Sequence, residues 1–141
     1  MTDQGNRPIF DISIGPLVIS IHGRQHPESD DPFDRDWLLT SSSFDGGGRT
    51  AAGEASFEAT ELADLMIDLR KITLGEIQCL KFYPSEQLCT IAARRTKPGD
   101  FEIDLHHISG SSASFQAPAF QIEHLSAELA AVLTAYEPRR R

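Results

Sequence analysis

The chain opens on alternation. Across IFDISIGPLVISI (residues 9–21), Phe10, Ile12 and Ile14 share one parity, Gly15-Pro16 interrupts, and Leu17, Ile19 and Ile21 then alternate with Val18, Ser20 and His22. A period of two is that of strand side chains, so this stretch predicts two strands joined as a hairpin at Gly-Pro. Asp36–Phe44 and Thr50–Ala59 flank Asp45-Gly46-Gly47-Gly48, whose glycines supply the positive φ of a tight turn, and predict a second hairpin. The period then lengthens. Leu62, Leu65, Met66, Leu69 and Ile72 fall on one helical face, with Thr60 as the expected N-cap and Gly75 as the stop. Glu61 and Asp64 suit the positive end of that helix dipole, and Arg70 and Lys71 the negative end.

Alternation resumes beyond Gly75. It predicts strands over Ile77–Tyr83, Leu88–Arg95, Phe101–His107 and Ser112–Ile122, with turns at residues 96–100 and 109–111. Pro118 cannot donate to a ladder, which marks its strand as an edge or a bulge. From His124 onward Leu125, Leu129, Val132, Leu133 and Tyr136 restore helical spacing, ended before Pro138. The order is ββββ-α-ββββ-α. Hairpin-length links imply a mainly antiparallel sheet of about eight strands with two helices covering one face, an α+β domain. Each half is four strands followed by a helix, a hint of loose duplication.

A chain of 141 residues, 40% hydrophobic and 24% charged, fits one domain with its own core and requires no cofactor. Residues 1–8 and 139–141 are expected to be flexible ends, and residues 23–35 a long acidic loop. Thirteen Lys and Arg against 21 Asp and Glu give a net charge of −8. That field repels a phosphate backbone, so nucleic acid is a poor partner and a basic protein a better one. The start MTDQGNRPIF has no apolar signal core, and no run approaches 18 apolar residues, so no membrane association is expected and the location expected is cytoplasmic. Cys79 and Cys89 lack C-x-x-C spacing and read as small buried or half-buried strand residues.

The densest chemistry is Glu28-Ser29-Asp30-Asp31-Pro32-Phe33-Asp34-Arg35-Asp36-Trp37, five carboxylates within nine residues beside the only Trp. It lacks the ligand rhythm of a calcium loop, leaving a solvated acidic loop or a docking surface in which Phe33 and Trp37 are apolar anchors inside an acidic rim. Trp37 by itself also suits a core residue opening a strand. The candidate partner-binding set is therefore Glu28, Asp30, Asp31, Phe33, Asp34, Asp36 and Trp37. His22 and His26 could converge with a loop acid in a metal-dependent hydrolase, while His106 and His107 point to opposite faces of one strand. Exposed strand-end histidines are the simpler reading, and no metal site is assigned. The serine runs Ser41–Ser43 and Ser109–Ser112 lack a nucleophile elbow, Gly46–Gly48 lacks a phosphate-binding Lys, and Arg94, Arg95 and Lys97 lack interleaved aromatics. No catalytic residue is assigned.

Asp36-Trp37-Leu38, the Gly-rich turn, Ala55–Ala59, the helix start Thr60–Leu65 and Gly75 together resemble the WapI-type immunity protein family of bacterial polymorphic-toxin systems. Tyr83-Pro84-Ser85-Glu86-Gln87-Leu88 is similar to that family's E-P-x-L strand entry, and Phe120–Glu123 with Leu125 to its passage from final strand to helix. The likeness runs from about Asp34 to Tyr136. It implies a small cytoplasmic, non-enzymatic protein that binds a cognate toxin domain, often a nuclease, and neutralises it by occlusion. An accessory subunit of a larger assembly would share these features.

Overall fold

The computed structural model describes residues 9–46 and 49–139. Residues 1–8, Arg140 and Arg141, read from sequence as flexible ends, and Gly47-Gly48 of the expected turn lie outside the described residues. The elements are β1 (Phe10–Ile14), β2 (Leu17–Arg24), α1 (Pro32–Arg35), β3 (Trp37–Gly46), β4 (Arg49–Glu58), α2 (Ala59–Thr73), β5 (Cys79–Phe82), β6 (Cys89–Lys97), β7 (Asp100–His107), β8 (Ser112–Pro118) and α3 (Ala119–Ala135). The α+β class is as expected. The strands form two four-stranded sheets rather than one, β1-β2-β3-β4 and β5-β6-β7-β8, with every neighbouring pair antiparallel. The division falls where a 15-residue helix, instead of a hairpin turn, separates β4 from β5. Each half is thus a four-stranded meander ending in a helix.

The period-two pattern builds the inner faces. Leu17, Ile19 and Ile21 of β2, Leu38 and Phe44 of β3, Ile91 and Ala93 of β6, and Phe101, Ile103 and Leu105 of β7 are buried in one continuous core. The sheets meet directly: the rings of Phe57 and Phe82 stand edge to face with centroids 5.6 Å apart. At the β1–β2 turn Gly15 has φ +53°, a conformation that favours glycine, and a Cβ there would lie 2.5 Å from Cζ of Phe115 on β8 and displace that ring. Helices α2 and α3 pack on each other and touch the four edge strands β1, β4, β5 and β8.

Both long helices start earlier than their sequences suggest. The N-cap of α2 is Glu58, not Thr60, because β4 runs straight into the helix and Glu58 keeps extended geometry (φ −76°, ψ 137°). A reciprocal capping box follows, in which the Glu58 amide donates to Oε1 of Glu61 at 3.0 Å. Leu62, Leu65, Leu69 and Ile72 form the buried stripe as the spacing predicts. Gly75 (φ +78°) closes the helix, with its amide donating to the Ile72 carbonyl and that of Glu76 to Lys71. Helix α3 begins at Ala119, five residues before His124, since Pro118 ends edge strand β8 and serves as the N-cap. Ile122, which the alternation placed in the strand, belongs to the helix's buried stripe with Leu125, Leu129, Val132 and Leu133.

Candidate functional site

Strand β2 extends to Arg24, and the Gln25 amide still bonds the Trp37 carbonyl at 2.9 Å, so the irregular acidic segment is shorter than residues 23–35. Pro32 starts the one-turn helix α1, and Asp31 caps it by accepting the Phe33 amide on Oδ1 at 2.9 Å. Ser29 braces the turn, its hydroxyl accepting the Asp31 amide at 3.1 Å and donating to Asp34 Oδ2 at 3.2 Å. These local bonds hold an apolar ring out in water: Phe33 is 55% exposed, and Glu28, Asp30, Asp31 and Asp34 around it in sequence are all exposed.

The base of the turn is bolted to the C-terminal segment. The Arg24 guanidinium donates to the carbonyls of Arg35 and Glu137 and lies over the Tyr136 ring, 5.8 Å from its centroid. Burial lowers the Arg24 pKa from its ordinary value, the charge of Arg139 adds to that, and the Asp36 carboxylate opposes both.

Asp36 departs from its expected place on the exposed rim. It is fully buried, its Oδ2 accepts the Thr60 amide at 3.2 Å, its Oδ1 accepts the Arg139 amide at 2.8 Å, and its carbonyl accepts the Ala59 amide at 2.7 Å. A carboxylate so engaged satisfies the open amides at the start of α2 from another part of the chain. Trp37, half-buried, opens β3 opposite Glu58. The structure therefore brings Glu28, Asp30, Asp31, Phe33 and Asp34 together on one exposed turn, with Trp37 at its base and Asp36 beneath.

His22 and His26 are exposed, and Nε2 of His22 lies 2.7 Å from the Ser41 hydroxyl. Among the described residues no group of three or more His, Cys, Asp or Glu side chains is placed to hold a metal ion. Cys79 is exposed rather than buried, while Cys89 is buried and its thiol is pushed up to about 12 by desolvation. No helix among the described residues is long and apolar enough to cross a membrane.

One polar cluster escaped the sequence reading, which placed all the histidines at exposed strand ends. His107 on β7 and Ser42 on β3 face each other in the interior, 5% and 6% exposed, with Nε2 and Oγ 2.7 Å apart. The Phe44 ring packs at 5.7 Å from the imidazole, and Nδ1 meets the Ser109 hydroxyl at 2.7 Å. The signal lay in parity, since His107 continues the buried series Phe101, Ile103, Leu105. A serine beside a histidine resembles a nucleophile–base pair, but here both are enclosed and the contact joins the two sheets.

Residues 9–137 match the model of the Immunity protein WapI-like family, and the chain belongs to that family. The match takes in the first hairpin and the acidic turn as well as the region from Asp34 to Tyr136. No curated protein and no solved structure matches the chain.

Proposed function

We propose that this member of the WapI-like immunity family neutralises a basic cognate toxin domain, a nuclease, by stoichiometric occlusion, with the α1 turn as the docking element. The observation that carries the reading is Phe33, held exposed by a braced turn whose exposed side chains Glu28, Asp30, Asp31 and Asp34 are all carboxylates. An apolar anchor inside a charged rim is the arrangement of an interaction hot spot, and its pre-ordering reduces the entropy lost on binding. A net charge of −8 steers the chain toward a cationic partner, and its carboxylates can occupy phosphate positions in a nucleic-acid groove. Inhibition then requires neither cofactor nor turnover, and the location that suits such a guard is the cytoplasm of the producing cell.

The test is calorimetric and stopped-flow binding to the C-terminal domain of a large secreted protein encoded beside this gene, at two salt concentrations. A tight 1:1 complex is expected, with an association rate that falls with salt. Replacing Asp30, Asp31 and Asp34 by Asn is expected to slow association about tenfold or more at low salt, and Phe33→Ala to raise the dissociation rate. An unchanged association rate in the triple variant would remove the acidic turn from the interface.

A further inference from the structure

Helices α2 and α3 leave a groove on their outer side that no described element covers, with a cavity volume of about 550 Å³. Ile67 of α2 and Leu74, the C-cap of that helix seven positions on, line it, as do Ala127 and Ala130 of α3. Phe120 lies seven positions before Ala127 on the same face of α3 and is 71% exposed; Leu74 is 65% exposed. Two of the large apolar side chains that the fold leaves in water, Ile67 and Leu74, thus line one groove between two helices.

The charges there differ from those of the whole chain. Arg70 and Lys71 on the α2 side are matched in number by Glu123 on α3 and Glu76 just past the end of α2, so a protein of net charge −8 is locally neutral at this groove. We infer that this groove is the face of a symmetric homodimer, its occupant the same groove of a second copy. A two-fold axis running along the groove sets α2 of each copy over α3 of the other, which brings Arg70 and Lys71 opposite the second copy's Glu123 and packs Ile67 and Leu74 away from water. Elsewhere two copies approach with like net charge and repel. The acidic turn contributes nothing to the groove and stays open, so a dimer would present two docking turns; the inference does not depend on the proposed partner.

Helices of this length, about 22–26 Å each, cover an area at the low end for stable dimers, so half-dimerisation is expected at about 10–100 µM. Sedimentation equilibrium of the full chain from about 1 µM to about 500 µM tests this. Ile67→Glu should leave a monomer at every concentration with an unchanged circular dichroism spectrum. Arg70→Glu and Glu123→Lys should each weaken the dimer at least fivefold, and the two together should restore it. A wild-type monomer throughout would overturn the inference. So would a dimer indifferent to Ile67→Glu, which would place the interface elsewhere, or a charge swap that fails to restore association. A groove variant that stays monomeric like the wild type but loses the toxin would assign this face to the toxin instead.

Discussion

Nε2 of His107 and Oγ of Ser42 meet at 2.7 Å across the interface of the two sheets, and Ser109 holds the far side of the ring. Nδ1 meets the Ser109 hydroxyl at 2.7 Å and accepts the Ser109 amide at 3.2 Å, and that amide favours the neutral imidazole with its proton on Nε2, donated to Ser42. A second proton would set a charge in the interior, where His107 is almost fully enclosed. Burial accordingly lowers the His107 pKa below its ordinary value of 6.5. The folded state thus binds fewer protons than the unfolded state between those two values. The stability from this group is fully present above pH 6.5 and declines as pH falls from there to the folded pKa. His107→Gln is expected to be less stable than wild type by about 1–3 kcal/mol at pH 7.5, and the gap between the two should narrow at pH 5. Urea unfolding of both proteins at the two pH values measures it; a pH-independent gap would show that the buried ring titrates no differently in the two states.

Asp36 separates the scaffold of the acidic turn from its surface. Its two oxygens accept amides from Thr60 and Arg139, residues far apart in sequence, in a place closed to water. Asp36→Ala is expected to cost about 2–3 kcal/mol, since the Thr60 and Arg139 amides lose a buried acceptor. The Asp30, Asp31, Asp34 triple Asn variant should stay within about 0.5 kcal/mol of wild type, because these side chains are exposed and Asn caps α1 as well as Asp does. Chemical denaturation of both variants tests the contrast, and equal losses would mean that the turn and its base unfold as one unit.

How far the sequence was legible follows from what each pattern depends on. Alternation in Phe10–Ile21 and Phe101–His107 and the stripe Leu62 to Ile72 depend on local periodicity, and those elements stand where they were expected. The start of α3 was hidden because Pro118 can end a strand or cap a helix, and Phe120 and Ile122 fit either period. One sheet or two is a question of non-local pairing: β4 and β5 would each satisfy a ladder, and only the placement of α2 decides. Within the acidic segment Asp34 and Asp36 look alike as letters. The structure divides them, because only Asp36 sits at the entry to β3, within reach of the amides that open α2. The exposure of Phe33 needed the Pro32 helical turn, which is too short to leave a periodic trace.

Glu61 holds two segments at once. While Oε1 completes the capping box with the Glu58 amide at 3.0 Å, Oε2 accepts the Ser85 amide at 2.8 Å, tying the β5–β6 connection to the first turn of α2. Glu61→Ala is expected to cost about 1–2 kcal/mol by thermal unfolding. Exchange of the Ser85 amide should accelerate more than that of amides in the middle of α2. Equal acceleration throughout would indicate a loss confined to global stability, with no local tether released.

The two cysteines should behave as opposites. Cys79 is exposed on β5, whereas Cys89 lies 2% exposed in the core with its thiol pushed up to about 12, leaving almost no thiolate at neutral pH. The thiolate is the reactive form, so burial suppresses Cys89 twice, by access and by ionisation. Titration with a disulfide reagent at pH 8 is expected to label one thiol per chain quickly and the second only at the rate of unfolding. Cys79→Ser should abolish the fast phase and leave the slow one, and adding denaturant should merge the two. A fast second equivalent in native protein would mean that the Cys89 end of β6 opens without global unfolding, and the Cys79→Ser variant would then retain a fast phase.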